Sequence, residues 1–238
     1  MAKVTRHFGM LIPSTNTTVE LECRLLPASY QAHFGRLGSS TGRPFEPSRD
    51  EDIDYQSTLL GTARVELIIL AQTSASVFTD GYDQQVTARI HAGAGVPAMT
   101  SAHSVGRAVH ALGARRIGLV SPYSDEVNRR AARYFSAQHG LQVVAQEGFR
   151  ATDVYEIGQL SPVLAVEAFG RMRTPEIEAF VVPGGNFPTM AATAAWEDEF
   201  GVPVVTTNNA SLWAMLRAFE AHQGLEGYGR LLNELPAG

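Results

Sequence analysis

Phe8-Gly9-Met10-Leu11-Ile12-Pro13 is an apolar run that closes on a proline, and it returns 109 residues later as Ile117-Gly118-Leu119-Val120-Ser121-Pro122. A second pair, Gly95-Val96-Pro97-Ala98-Met99-Thr100 and Gly201-Val202-Pro203-Val204-Val205-Thr206, recurs at an offset of 106. A third, Leu67 to Ser74 and Ala179 to Asn186, runs from apolar to small polar residues at an offset of 112. Three pairs in one order at similar spacing mark a duplicated βα unit. Two such halves, each ending its strands in polar loops, can face one another and enclose a ligand.

The pattern around these runs sets the architecture. Short apolar runs alternate with longer segments of helical spacing, as in a parallel sheet with crossover helices. Strands are expected at His7 to Ile12, Tyr30 to Leu37, Val65 to Ala71, Ala98 to Thr100, Arg116 to Ser121, Gln142 to Gln146, Ala179 to Val182 and Val204 to Thr206. Helices are expected at Thr17 to Leu26, Glu51 to Ala63, Tyr82 to Ala92, Ser104 to Leu112, Asp125 to His139, Ser161 to Met172, Thr189 to Phe200 and Ser211 to His222. Gly113, Gly140 and Gly224 sit where helices should stop. The expected fold is α/β, with two pseudo-symmetric lobes, each a mainly parallel four-stranded sheet flanked by helices. The lobes are residues 1–114 and 115–238, with terminal elements free to exchange between them. Ser39 to Asp50 is the one long polar connection, a candidate lid.

Composition narrows the partners. A chain of 238 residues, 45% hydrophobic and 18% charged, has material for a core in each half. A net charge of −5 does not suit a nucleic-acid binder. No apolar run reaches membrane-spanning length, and the N-terminal run is cut at Pro13, so neither a membrane partner nor a secretory signal is expected. The single cysteine, Cys23, leaves no internal disulfide and reads as a buried structural thiol in a reduced, cytoplasmic setting. A homo-oligomer stays open.

In parallel α/β sheets ligands bind outside the carboxyl ends of the strands. The residues there are Ser14, Asn16 and their neighbours; Gln72, Thr73 and Ser74; Pro122, Tyr123 and Ser124; Pro183, Gly184, Gly185 and Asn186; and Thr207 to Asn209. Hydroxyls, amides and glycines dominate, which suits an anion held by neutral donors and helix N-termini. Each Ser, Thr or Asn taken singly serves equally well as a helix cap. Tyr123 could donate to an oxyanion or carry a proton, or be structural. His103 lies just past a strand end and stands as a second catalytic candidate beside a structural or capping role. The remaining histidines lack metal spacing. Glu197 to Glu199 and Glu51, Asp52 and Asp54 are spaced for a solvated helix face. Phosphate-loop and dinucleotide patterns are absent.

Pro13-Ser14-Thr15-Asn16-Thr17-Thr18-Val19-Glu20, Thr73-Ser74, Pro122-Tyr123-Ser124-Asp125-Glu126-Val127-Asn128, the Gly184-Gly185 pair and Gly227-Tyr228-Gly229-Arg230-Leu231 together resemble the aspartate/glutamate racemase superfamily. The branch is that of maleate isomerase and arylmalonate decarboxylase. The resemblance implies a two-lobed α/β fold, one site between the lobes and no cofactor. It also implies that Thr73, Ser74, Tyr123 and main chain near Gly184 hold a substrate carboxylate, which Asn16 contacts in the isomerases. Members of this family work through one or two cysteines, just before the Thr-Ser pair and just before the Gly-Gly pair. Here those positions are Gln72 and Pro183, and a further asparagine of the isomerases is Val154.

Neither Gln72 nor Pro183 can form a thiolate. The expected function is therefore a cofactor-independent enzyme on a small carboxylic or dicarboxylic acid, running decarboxylation, hydrolysis or addition–elimination without a thiol. Tyr123, His103 or a water would carry the proton. The alternative is a protein that binds or senses small carboxylates without turning them over. A third reading keeps the family's own activity, rerouted through other residues. Gly227 to Leu231 leans toward the decarboxylases and Pro13 to Glu20 toward the isomerases.

Overall fold

The computed structural model describes residues 5–238. Its first half runs β1 (Arg6–Pro13), α1 (Val19–Cys23), β2 (Tyr30–Leu37), α2 (Asp50–Thr62), β3 (Ile68–Leu70), α3 (Tyr82–Ala94), β4 (Ala98–Thr100) and α4 (Ser101–Ala111). The second runs β5 (Arg116–Ser121), α5 (Asp125–His139), β6 (Gln142–Gly148), α6 (Val163–Met172), β7 (Ala179–Val182), α7 (Met190–Phe200), β8 (Val204–Thr206), α8 (Thr207–Ala218) and α9 (Arg230–Glu234). The strands form two four-stranded sheets, ordered β2-β1-β3-β4 and β6-β5-β7-β8, and every pairing is parallel. The same strand order in both sheets matches the repeat in the sequence.

Alternation along the strands decides which face each residue covers. Leu11, Ile68 and Leu70 pack outward with Ile53 and Leu60 of α2 and Val86 and Ile90 of α3. In the second sheet Val120, Phe180, Val182 and Val204 pack with Phe169 of α6 and Trp196 and Phe200 of α7. The opposite faces share one cluster: Phe8, Met10, Ile12 and Ile69 join Ile117, Leu119, Val181 and Val205 through residues of α4, α5 and α8. Helix α4 of the first half packs directly on α8 of the second. Gly9 and Gly118, equivalent in the repeat, keep the outer layers close. A β-carbon at Gly9 would lie 2.9 Å from both Leu60 and Ile68, and one at Gly118 would lie 2.7 Å from Phe180.

Several boundaries differ from the periodicity reading. The third strand shrinks from Val65–Ala71 to Ile68–Leu70, and the first helix to Val19–Cys23. The last long helix starts at Thr207 instead of Ser211, because Thr206 and Asn209 form a reciprocal capping box. It ends at Ala218, so Gly224 does not stop it; Gly224 instead lies against the carbonyls of Leu232 and Asn233. Helix α9 was not expected. Glu197, read as solvated, is buried and accepts from the N–H groups of Val204 at 2.8 Å and Arg230 at 2.7 Å, tying the C-terminal segment to β8. Asp52 likewise turns inward and accepts from Gly38 N–H at 2.7 Å. No helix among the described residues is long and apolar enough to cross a membrane.

Candidate active site

A cleft of about 370 Å³ opens at the carboxyl ends of β1, β3, β5 and β7. Ser14, Asn16, Gln72, Thr73, Ser74, Tyr123, Gly184, Gly185 and Asn186 line it together. Pro183 is buried and does not line the cleft. Ser124 does not line it either: its Oγ accepts from Val127 N–H and caps α5. His103 is elsewhere, exposed on α4 at a separate cavity between α3, α4 and α5. Its backbone N–H donates to Thr100 Oγ1, the cap of that helix. The structure does not bring His103 to the cleft of Tyr123, because α4 turns this residue, three positions past the cap Thr100, toward the other side.

Within the cleft, caps and free donors coexist. Asn16 Oδ1 accepts from Thr18 and Val19 N–H at 3.1 and 3.0 Å, which opens α1. This fixes the amide, and Nδ2 has no protein partner among the described residues. Arg36 donates to the carbonyls of Ser14 and Asn16 at 3.0 and 2.9 Å and pairs with Glu20. Asn186 is spent on structure. Its Oδ1 accepts from Thr17 N–H at 2.8 Å and its Nδ2 donates to the Val154 carbonyl at 2.7 Å, joining the two halves across the cleft floor.

Thr73 sits in a chain of hydroxyls that crosses from one half to the other. Its Oγ1 lies 3.1 Å from Ser101 Oγ and 2.9 Å from Thr207 Oγ1, and Thr207 Oγ1 accepts from Gly184 N–H at 2.9 Å. Thr207 follows a strand end in the sequence, but nothing in its local pattern singles it out for the site. Ser101 and Thr207 are repeat equivalents, each the first residue after a Thr cap, and that was the available signal. Gly184 takes φ of 120°, and a β-carbon there would lie 2.8 Å from Pro122. Only glycine fits. Among the described residues the backbone N–H groups of Ser74 and Gly185 and the hydroxyls of Ser74 and Tyr123 have no protein partner. Burial holds the Tyr123 hydroxyl well above the ordinary phenol range, so it keeps its proton and acts as a donor.

The polar connection after β2 covers the cleft. Phe45 meets the Tyr123 ring edge-on, with centroids 5.1 Å apart, and Arg43, Glu46 and Ser48 join the lining. Gln72 holds this loop: its Oε1 accepts from Ser48 N–H at 3.2 Å and its Nε2 donates to the Glu46 carbonyl at 2.9 Å. The Gln72 amide is therefore committed to the loop instead of facing a ligand. The loop residues were missed as individual site members, since a polar run without periodicity says nothing of which side chains turn inward. Cys23 is buried on α1 outside the cleft lining, and burial pushes its thiol up to about 12.

Two parallel sheets from a duplicated unit, sharing one cleft of uncharged donors at their carboxyl edges, define the class of this protein. The family model described as arylmalonate decarboxylase matches residues 8–232, and the chain belongs to that family. Among curated relatives, the arylmalonate decarboxylase of Bordetella bronchiseptica is 28% identical, over 97% of this chain and 98% of that protein. The maleate isomerase of Geobacillus stearothermophilus is 24% identical over 97% and 99%. A solved structure of the Nocardia farcinica maleate cis-trans isomerase, a Cys-to-Ser variant with a covalently bound succinylcysteine intermediate, superposes with a TM-score of 0.86. That superposition is at 23% identity over 97% of this chain and 99% of that one, and it shows the shared fold.

Proposed function

We propose that this protein is an enzyme of the isomerase or decarboxylase type, acting on a small carboxylic or dicarboxylic acid without a cysteine thiol. The observation that carries the reading is the cleft itself: unpartnered neutral donors from both halves converge in a lining that holds no cysteine, and Gln72 and Pro183 stand at the sequence positions where the family resemblance implies thiols. A carboxylate would lie between Ser74 and Asn16 Nδ2 on one side and Tyr123 and Gly185 N–H on the other. Loss of CO2 or of an α-proton would leave an enediolate. The Tyr123 hydroxyl and the backbone N–H groups would stabilise its developing charge, each such donor contributing about 100- to 1,000-fold in rate. The remainder of the cleft, with Phe45, Val154 and Ile157, offers an apolar wall for the rest of the acid.

The direct test is incubation of purified protein with phenylmalonate and with maleate, following CO2 release and fumarate formation, in the wild type and in C23S. The reading expects turnover of one of these acids and equal rates in C23S. Thermal stabilisation by both acids with no product would replace it with the binding or sensing alternative. A C23S variant that folds but has lost turnover would contradict the thiol-independent step.

A further inference from the structure

A reaction at carbon without a thiol needs another group to carry the proton. The titratable residues lining the cleft are few. Tyr123 retains its proton, and Arg43 is a permanent cation. Asp153 is exposed at the rim, with Oδ1 accepting from Tyr155 N–H at 2.8 Å. Glu46 is the one carboxylate of the lining that is not exposed. Its Oε2 accepts from Thr41 Oγ1 at 2.6 Å and its Oε1 lies 3.7 Å from Arg43, both on the same loop. Its main-chain carbonyl is the atom that Gln72 Nε2 holds. The residue at the family's cysteine position thus grips the main chain of the lining residue that carries this carboxylate.

We propose that Glu46, held over the cleft by Gln72, exchanges a proton with the α-carbon of the bound acid. The inference rests on the enzymatic reading above. For a malonate-type acid, the bond from the α-carbon to one carboxylate breaks, CO2 leaves, and the electron pair remains as an enediolate among the neutral donors. The Glu46 carboxylate takes a proton from a buffer acid and delivers it to the α-carbon, so that it ends the turnover as a carboxylate and one bulk proton is consumed per CO2 released. Gln72 touches neither acid nor proton; it is a positioning residue that acts through the loop.

The test uses the full chain with phenylmalonate in D2O, measuring turnover, deuterium at the α-carbon of the product, and thermal stabilisation by the acid. E46Q should lower kcat about 100-fold, the lower end of general acid–base catalysis, while the stabilisation by phenylmalonate is kept. Q72M removes both tether bonds at similar side-chain length and should also lower kcat. In the E46Q/Q72M double variant the loss should be no greater than in E46Q alone, because residues acting through one group are not additive. E46Q within threefold of wild type, or a loss in D153N with E46Q unaffected, would overturn the role of Glu46. Multiplying losses in the double variant would overturn the role of Gln72. A wild type that is stabilised by phenylmalonate and releases no CO2 sinks the enzymatic reading and this proposal with it, whereas a failure confined to the variants sinks this proposal alone.

Discussion

Thr73 Oγ1 contacts Ser101 in its own half and Thr207 in the other, and Thr207 in turn takes the N–H of Gly184. This leaves Ser74, Gly185 and Tyr123, their immediate neighbours, as donors without protein partners. The hydroxyl chain orients the walls, and the residues beside it face the ligand. Tyr123 is the clearest case, since burial keeps it neutral and only its hydroxyl distinguishes it from phenylalanine. In Y123F, turnover of the acid that proves to be the substrate should fall about 100-fold, with little change in thermal stability, because no protein hydrogen bond is lost. Unchanged turnover in steady-state assays would remove Tyr123 from the chemistry. Much of this site was legible at residue level, because strand ends in a parallel sheet locate a site before any motif does. What was not legible was how each amide is spent. Gln72, Asn186 and Asn16 look alike in sequence, yet the first holds the loop, the second bridges the halves, and the third both caps a helix and leaves a nitrogen free.

Helices α4 and α5 meet at a pair of histidines, with the rings of His103 and His139 5.0 Å apart. His139 Nε2 is buried without a partner, and burial, with the neighbouring His103 and His110, lowers its pKa to about 4. The unfolded chain therefore binds this proton near pH 6.5 while the folded chain does not until about pH 4. Stability from His139 is full above pH 6.5 and is lost as pH falls through that window. Melting temperatures between pH 7 and 4 should fall less steeply in H139Q than in wild type, and identical slopes would contradict the assignment. Buried Glu22 works in the opposite sense: burial raises its pKa, so its contribution is present at low pH and lost as pH rises through the raised value. It accepts from Thr189 and Met190 N–H at the start of α7 and from Asn208 Nδ2, pinning α1 of the first half to the second. Glu197 reads as solvated in sequence, and it defeats that reading because the backbone N–H groups of Val204 and Arg230 reach it. Strand ends such as Ala98–Thr100 and Val204–Thr206 were legible for the reverse reason: alternation, proline and a capping threonine are all local signals.

The two sheets follow the two halves of the sequence, but the largest apolar cluster does not, since α4 and α8 fill a layer common to both. We propose that residues 1–114 and 115–238 are lobes of one cooperative unit. Tryptophan fluorescence from Trp196 and Trp213 and far-UV circular dichroism should therefore report coincident urea transitions. Two separated transitions would show that the halves unfold independently. The shared core also sets the walls of the cleft, because the strands leading to Thr73 and Gly184 pack into it through Ile69 and Val181.

The account is tested most directly by a crystal structure of the protein with malonate bound. It predicts one carboxylate in the cleft between β1, β3, β5 and β7, within hydrogen-bond distance of donors from both halves, Ser74 or Asn16 on one side and Tyr123 or Gly185 on the other. A carboxylate held by one half alone, or found only at the cavity beside His103, would contradict it.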